Sequence, residues 1–148
     1  MNKPYFLSEN VVLRLLETPS VYHVKRDELY ELNEEAFSFL ETCRQAEGCT
    51  TDDKEFLDYC LSEGILTDIR QRPVKYTVRP SPVPSLRYLE LLITDQCNLH
   101  CRHCYIGEPT RQELSLHEIT SVLGEFEEMQ GLRVLISGGE PLMHSESE

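Results

Sequence analysis

The order of strand and helix patterns in the second half of the chain restricts the fold most strongly. Aliphatic runs at 88–94 and 134–137 have the composition of strands. Between them, Ser115 and Glu118 have the spacing of a helix capping box, and Gly131 stands where that helix should end. The apolar stripe of this helix consists of Ile119, Val122, Leu123, Phe126 and Met129. Because two aliphatic strands joined by a helix usually pair in parallel, this half predicts one βαβ unit of an α/β sheet.

Three cysteines follow the first of these strands at the spacing C-x3-C-x2-C, as Cys97, Cys101 and Cys104. Cysteine thiolates are the standard protein ligands of iron–sulfur clusters, and three thiols in one short loop leave one metal position open to a small molecule. A structural zinc ion is the alternative, but it normally takes four Cys or His ligands. His100 and His103 each adjoin a cysteine in the sequence, which is a poor geometry for binding the same ion.

The second strand leads directly into Gly138, Gly139, Glu140 and Pro141. Ligands of a parallel α/β sheet collect at the carboxyl ends of its strands, so we expect this segment to lie beside the cysteine loop. Two glycines permit a close approach of the backbone to a ligand. The carboxylate of Glu140 is suited to accept a hydrogen bond from an ammonium group.

The first seventy residues begin with a different pattern of short strands. Runs at 11–16, 21–24 and 29–32 are rich in aliphatic and β-branched residues, and turn-forming or charged residues separate them. This alternation predicts a three-stranded antiparallel meander.

Two helices should follow these strands. Asn33 has the features of an N-cap residue, with acidic residues in the first turn after it. The second helix should begin after residue 50 or 51, with Asp52 and Asp53 in its first turn, and Gly64 is placed to follow its end. Residues 1–70 therefore predict an α+β domain, similar to a winged helix, of three strands plus helices.

Residues 71–87 contain four prolines and four basic residues but no acidic residue. Proline-rich stretches favour extended, semi-rigid backbone, so we expect a linker between a domain at 1–70 and a second one at 88–148. A strap that docks on one of the two acidic halves is the alternative. Residues 1–70 contain 7 basic and 15 acidic residues, which makes the first half the more acidic one.

Composition excludes several classes of function. The formal net charge of −12 argues against non-specific binding of nucleic acid, which requires clustered Lys and Arg. No apolar stretch has the length of a membrane span, and the N-terminus lacks the pattern of a signal peptide. We therefore expect a cytoplasmic protein that binds neither nucleic acid nor membrane.

Six cysteines do not indicate a disulfide scaffold here, because nothing points to secretion. Cys43 and Cys60 fall on apolar helical faces, where we expect buried structural thiols in a reducing compartment. The role of Cys49 stays open at this stage.

The cysteine loop followed by Gly138-Gly139-Glu140-Pro141 resembles the start of the radical S-adenosylmethionine (SAM) superfamily. The residues around the cysteines, Asn98, Leu99 and Tyr105, resemble the variant found in peptide-modifying members with a C-terminal SPASM domain. The resemblance implies a [4Fe–4S] cluster whose fourth iron is chelated by the methionyl group of SAM. It also implies cleavage of SAM to a 5′-deoxyadenosyl radical by an electron from a donor such as flavodoxin or ferredoxin.

The resemblance also implies roles for individual residues. Cys97, Cys101 and Cys104 would be the cluster ligands. His103 stands at the usually aromatic position where members of the superfamily contact adenine, and Tyr105 would line the same pocket. The methionyl amine would be contacted by Gly138, Gly139 and Glu140, with Pro141 shaping the turn.

The first half has a looser resemblance to the PqqD-like RiPP recognition element, carried by the strand at 29–32 and by Leu32-Asn33-Glu34. That module binds the leader of a ribosomally made precursor peptide as an added strand. The implied function is maturation of a precursor peptide whose leader binds residues 1–70. An ordinary winged-helix domain is the alternative for these strands.

The superfamily resemblance implies a partial (β/α)6 barrel, of which 88–148 would form only the first βαβ unit. We therefore expect a truncated chain. The alternatives to a radical SAM peptide maturase are a non-catalytic leader carrier with a vestigial cluster segment and a structural zinc-binding protein.

Overall fold

A computed structural model describes residues 3–71 and 75–146 of the 148-residue chain. The chain divides into two compact units, Met1–Pro84 and Ser85–Glu148, which we describe separately.

The first unit contains two small antiparallel sheets. The strands β1 (Phe6–Leu7) and β5 (Leu66–Thr67) pair with each other. The three predicted strands are present as β2 (Val11–Leu15), β3 (Pro19–His23) and β4 (Glu28–Glu31), in the order β2-β3-β4. Both pairs in this sheet are antiparallel, as the sequence pattern predicts.

Two helices cover this sheet, α1 (Glu34–Cys43) and α2 (Lys54–Ser62). The side chain of Asn33 accepts a hydrogen bond from the Ala36 N–H at 2.8 Å, which confirms the predicted N-cap. The prediction for α2 was wrong by two or three residues: the helix begins at Lys54, and Asp53 is the N-cap and not part of the first turn. Its carboxylate accepts from the Phe56 N–H at 3.0 Å. This bond satisfies an N–H of the first turn, which has no carbonyl partner within the helix. Gly64 follows the helix with φ of 66°, as expected for a C′ residue.

The core of the first unit lies between β2, β3 and the two helices. Leu13, Val21 and Leu40 are fully buried there. Burial of such side chains contributes about 1.5–3 kcal/mol each. Cys60 is a buried free thiol, as predicted.

The prediction for Cys43 was wrong, because this residue forms a disulfide with Cys49. The backbone explains the pairing. The Gln45 N–H donates to the carbonyl of Thr42 and the Gly48 N–H to the carbonyl of Gln45, both at 3.0 Å, so the chain turns back after α1. Tyr5 and Cys49 exchange two N–H···O hydrogen bonds of 2.8 Å, which hold Cys49 in place after this turn. The two Cα atoms are thereby brought to 4.7 Å.

Residues 75–84 of the predicted linker belong to the first unit, and residues 85–87 belong to the second. The hydroxyl of Tyr76 accepts from the Leu13 N–H at 2.9 Å, and the guanidinium of Arg44 lies 4.1 Å from the centre of the Tyr76 ring. Ser81 N–H donates to the carbonyl of Leu15 at 2.7 Å. Residues 72–74 of the predicted linker lie outside the described residues.

The second unit contains β6 (Tyr88–Thr94), α3 (Leu116–Glu128) and β7 (Arg133–Gly138). The strands β6 and β7 pair in parallel, and α3 lies in the connection between them. The predicted capping box of Ser115 and Glu118 is present.

The end of α3 differs from the prediction at Gly131. Gln130, and not Gly131, has the positive φ of 63° that follows the helix. Gly131 is required for another reason, because a Cβ there would collide with the ring of Phe126. No helix of the described residues is long and apolar enough to cross a membrane.

Candidate functional site

The two motifs meet where β6 and β7 end. The Gly139 N–H donates to the carbonyl of Thr94, and the Glu140 N–H donates to the carbonyl of Gln96, both at 2.8 Å. These bonds place the segment after β7 directly against the residues that precede Cys97. The parallel pairing of the strands brings both carboxyl ends to one edge, which is where such sheets bind ligands.

The two glycines are needed for this contact. Gly138 has a φ of 140°, and a Cβ there would collide with the carbonyl oxygen of Thr94. A Cβ on Gly139 would lie 2.6 Å from the carbonyl oxygen of Asp95 and even closer to that of Gln96. Any larger residue would therefore push this segment away from the cysteine loop.

A cavity of about 600 Å³ lies between the cysteine loop and the two glycines. Seven of the nine predicted site residues line it. They are Cys97, Cys101, His103, Cys104, Tyr105, Gly138 and Gly139. The loop residues at 106–109 complete one wall.

Glu140 and Pro141 are not among the residues that line this cavity. Pro141 begins a single 3-10 turn, Pro141–Met143, and the Glu140 carboxylate accepts from the Leu142 N–H at 3.1 Å. Glu140 therefore caps this turn, and its contact with a methionyl amine stays a prediction.

The three loop cysteines are free thiols; Cys97 is half-buried, and Cys101 and Cys104 are exposed. No group of three or more His, Cys, Asp or Glu side chains within 3–71 and 75–146 is arranged to hold a single metal ion. A cubane cluster does not need such convergence, since each thiolate binds a different iron. Three free thiols spaced around one cavity therefore fit a cluster as a donor set.

Asp95 closes the base of the cysteine loop, a role that sequence reasoning missed. One carboxylate oxygen accepts from the Thr110 N–H at 2.7 Å and from its hydroxyl at 2.6 Å. The other accepts from the Gln112 N–H at 3.0 Å. The hydrogen bond from the Thr110 hydroxyl is the largest cause that lowers the pKa of Asp95 below its usual value. An aspartate fifteen residues before a threonine gives no sequence signal that could have identified this pair.

Residues 110–114, which we call the base segment, also bind the chain beyond the two glycines. The Glu113 carboxylate accepts from the hydroxyl and the N–H of Ser145. It also lies 3.3 Å from the Gln96 side-chain amide nitrogen. The hydrogen bond from the Ser145 hydroxyl is the largest cause that lowers the pKa of Glu113. One segment thus contacts both sides of the site.

His144 makes a second contact with the base segment from a buried position. Its Nδ1 accepts from the Glu146 N–H at 3.1 Å, so Nε2 carries the proton and donates to the carbonyl of Leu114 at 2.7 Å. The side chain is only 5% exposed. This buried hydrogen bond fixes the end of the turn that follows Pro141.

Comparison with known proteins shows what the second unit is similar to. Residues 91–148 match the Radical SAM superfamily. GTP 3′,8-cyclase of Lactiplantibacillus plantarum is 41% identical over 64 residues, which cover 40% of this chain and 19% of the relative. The enzyme of the same name from Shewanella denitrificans is 41% identical over 63 residues, with the same coverage. GTP 3′,8-cyclase 1 of Mycobacterium tuberculosis is 40% identical over 60 residues, 37% of this chain and 17% of the relative.

The chain spans about a fifth of the length of these curated relatives. The superfamily match and the relatives imply a [4Fe–4S] cluster and SAM, so both predicted cofactors are supported. The relatives are named as GTP 3′,8-cyclases and do not support the resemblance to peptide-modifying members.

Proposed function

Because residues 91–148 match the radical SAM superfamily, we propose that the chain is part of a radical SAM enzyme in which Cys97, Cys101 and Cys104 hold the cluster. The single observation that carries this proposal is the cavity lined by both motifs, with three free thiols on one side and Gly138 on the other. When bound, the cluster and SAM supply one-electron cleavage of SAM to a 5′-deoxyadenosyl radical that abstracts hydrogen from substrate.

The residues of this chain would hold and orient the cofactors. The exposed thiols at 101 and 104 are accessible for ligation without rearrangement of the sheet. The glycines present bare backbone to the cavity, so a small polar group can approach the main chain closely. His103 and Tyr105 line the same cavity and supply the flat surfaces that would face adenine.

Anaerobic reconstitution of the full chain with iron and sulfide tests the cluster site. Wild-type protein should take up iron and show the visible absorption of an iron–sulfur cluster. Replacing Cys101 by Ala should abolish that absorption. Cys60→Ala is the matched control, because Cys60 is a free thiol in the core of the other unit and should not affect uptake. Colourless protein that contains stoichiometric zinc would contradict the proposal and favour the zinc alternative.

We further propose that the substrate is a ribosomally made precursor peptide whose leader binds the first unit at the edge of β4. The Leu32 N–H donates to the carbonyl of Pro19 at 2.8 Å, which sets the alternation of this antiparallel pair. By that alternation, Tyr30 bonds to β3, while the N–H and C=O groups of Leu29 and Glu31 point away from β3. An exposed edge of this kind can accept an added strand, which supports leader binding.

An exposed aromatic surface near this edge also supports a peptide partner. Tyr30 and Tyr59 form an edge-to-face pair with centroids 6.5 Å apart, and the Tyr30 hydroxyl lies 2.9 Å from a Glu63 carboxylate oxygen. Tyr59 is 48% exposed, so an aromatic surface is available next to β4. A shallow cavity of about 420 Å³ on α2 is lined by Asp53, Glu55, Phe56 and Tyr59. Its acidic rim favours a leader with basic residues.

A proline at the free edge tests this binding mode. Glu31→Pro removes an outward N–H without touching a ladder bond, and edge strands tolerate such a proline. Affinity for a labelled leader from a neighbouring gene should fall about tenfold, since one or two backbone hydrogen bonds are lost. Glu31→Ala keeps the backbone and should bind nearly as well as wild type. Equal binding by the proline variant, or no binding of any leader by the wild type, would contradict leader recognition.

A second candidate substrate is GTP, favoured by the names and the identity of the relatives. Incubation of reconstituted protein, SAM and a reductant with GTP would distinguish the two. Consumption of GTP without any leader binding would replace the peptide hypothesis. Leader binding by a chain that cannot form a cluster would instead favour the carrier alternative.

The electron donor and the location complete the proposal. Reduction by a flavodoxin or a ferredoxin would deliver the electron, and the compartment would be the cytoplasm. Replacing the chemical reductant by purified flavodoxin and its reductase should support SAM cleavage. Cleavage seen with dithionite but with neither protein donor would contradict this partner.

A further inference from the structure

We propose that Asp95 and Glu113 are positioning residues that hold the cysteine loop and the turn after Gly139 in register on the base segment. This inference rests on the proposed cluster site. Neither residue belongs to either sequence motif, and neither lines the cavity.

The backbone shows that the base segment is built onto the end of β6. The Asp95 N–H donates to the carbonyl of Gln112 at 3.0 Å, and the Leu114 N–H donates to the carbonyl of Ile93 at 2.9 Å. These bonds bring the two ends of the cysteine loop together. The loop between them carries all three thiols, so its closure limits how far the thiols can spread.

Asp95 is the side chain that completes this closure. Its two oxygens accept three hydrogen bonds, of 2.6, 2.7 and 3.0 Å, from Thr110 and Gln112. An ionised carboxylate can accept from all of these donors at once, whereas an amide turns its NH2 group toward some of them. Asp95→Asn removes one negative charge and one hydrogen-bond acceptor, so it should loosen the base of the cysteine loop. It changes no residue that lines the cavity.

Glu113 acts on the other side of the site. Its carboxylate accepts from the Ser145 backbone and hydroxyl, and it lies 3.3 Å from the amide nitrogen of Gln96. Ser145 ends the segment that begins at Gly139, and Gln96 immediately precedes Cys97. Glu113 thus connects Gln96, next to the first thiol, with Ser145, which follows the turn after the two glycines. Asp95 closes the loop that carries the thiols, so its loss should weaken retention of the cluster. Glu113 holds the turn that follows the glycines predicted to contact SAM, so its loss should weaken binding of SAM.

Hydrogen exchange of the full chain without iron tests the closure itself. Asp95→Asn should make the amides of residues 97–112 exchange faster than in wild type, while those of the first unit are unchanged. The matched control is Glu90→Gln, which removes a carboxylate from an exposed position on the same strand. Equal protection of residues 97–112 in the two variants would overturn the role of Asp95.

Chelator challenge of the reconstituted protein tests the consequence for the cluster. Loss of the visible absorption should be about tenfold faster in Asp95→Asn than in Glu90→Gln, the scale seen when a residue that orients a metal ligand is removed. Glu113→Ala should lose its cluster at the control rate. An unchanged rate in Asp95→Asn would refute its part of the inference.

The SAM-dependent change in the electron paramagnetic resonance spectrum of the reduced cluster tests Glu113. Glu113→Ala should need about tenfold more SAM to reach half of this change. A half-saturating SAM concentration in Glu113→Ala equal to that of Glu90→Gln would refute the role of Glu113 in SAM binding. Wild-type protein that binds no iron would contradict the proposed function, whereas normal wild-type loading with unaffected variants would contradict only this inference.

Discussion

The disulfide between Cys43 and Cys49 should contribute measurably to the stability of the first unit. Its sequence separation is 6 residues, so it closes a short loop. Loop-closure entropy for a loop of this size gives about 2 kcal/mol of stabilisation at 25 °C. For a unit the size of Met1–Pro84, that corresponds to a fall in Tm of about 8–16 °C when the bond is broken.

Thermal unfolding followed by far-UV circular dichroism measures this change. The background should carry Cys97→Ala, Cys101→Ala and Cys104→Ala, so that reduction cannot lead to exchange with the loop thiols. In that background, a reductant should lower the Tm of the first unit by the stated amount. Reduction keeps both sulfur atoms in place, and so it separates the cross-link from the packing of the buried Cys43 side chain.

A variant with both Cys43 and Cys49 replaced by alanine is the control, since the reductant should leave its Tm unchanged. Alkylation and mass spectrometry under air count the free thiols directly. Finding Cys43 and Cys49 alkylated in air-exposed native protein, or a shift below about 2 °C on reduction, would refute the reasoning from loop closure.

Three further predictions follow from other contacts. Gly139→Ala should prevent cluster uptake, because its Cβ would collide with the carbonyl of Gln96, and iron content after reconstitution measures this. Tyr76→Phe should lower the free energy of unfolding by about 1–3 kcal/mol in urea titration, because the Leu13 N–H loses its acceptor. Burial raises the pKa of the Cys60 thiol from 9.0 to about 11, so the unfolded chain releases its proton first as the pH rises. Stability should therefore fall between about pH 9 and 11, and Cys60→Ala should reduce this fall. Part of the fall should persist in that variant, because the pKa values of Tyr30 and Tyr76 are also raised.

The predictable parts of this fold are those set by neighbours in the sequence. Asn33 and Ser115 form the predicted caps because an N-cap depends only on the three residues that follow it. The alternation of the first-half strands likewise identified their antiparallel pairing. Asp53 was predicted in the first turn of α2 and not at its N-cap, because Asp is favoured at both positions.

The unpredicted parts depend on contacts between distant residues. Tyr76 binds the Leu13 N–H across 63 positions, and Ser145 binds Glu113 across 32. Neither contact leaves a local pattern. The cysteines and glycines of the site were found because their motifs are compact, whereas Asp95 was missed because its partners are fifteen and seventeen residues away.

Tyr76 and Ser81 bind the first unit, so the boundary between the two units lies after Pro84 and not at residue 70, where the proline-rich stretch begins. A gene cut after residue 70 would encode the first unit without the tyrosine that accepts from Leu13 and without the strand-like pairing at Leu15. A cut after Pro84 keeps both contacts. Recombination or cloning that transfers the acidic unit to another protein should therefore succeed at the second position and fail at the first.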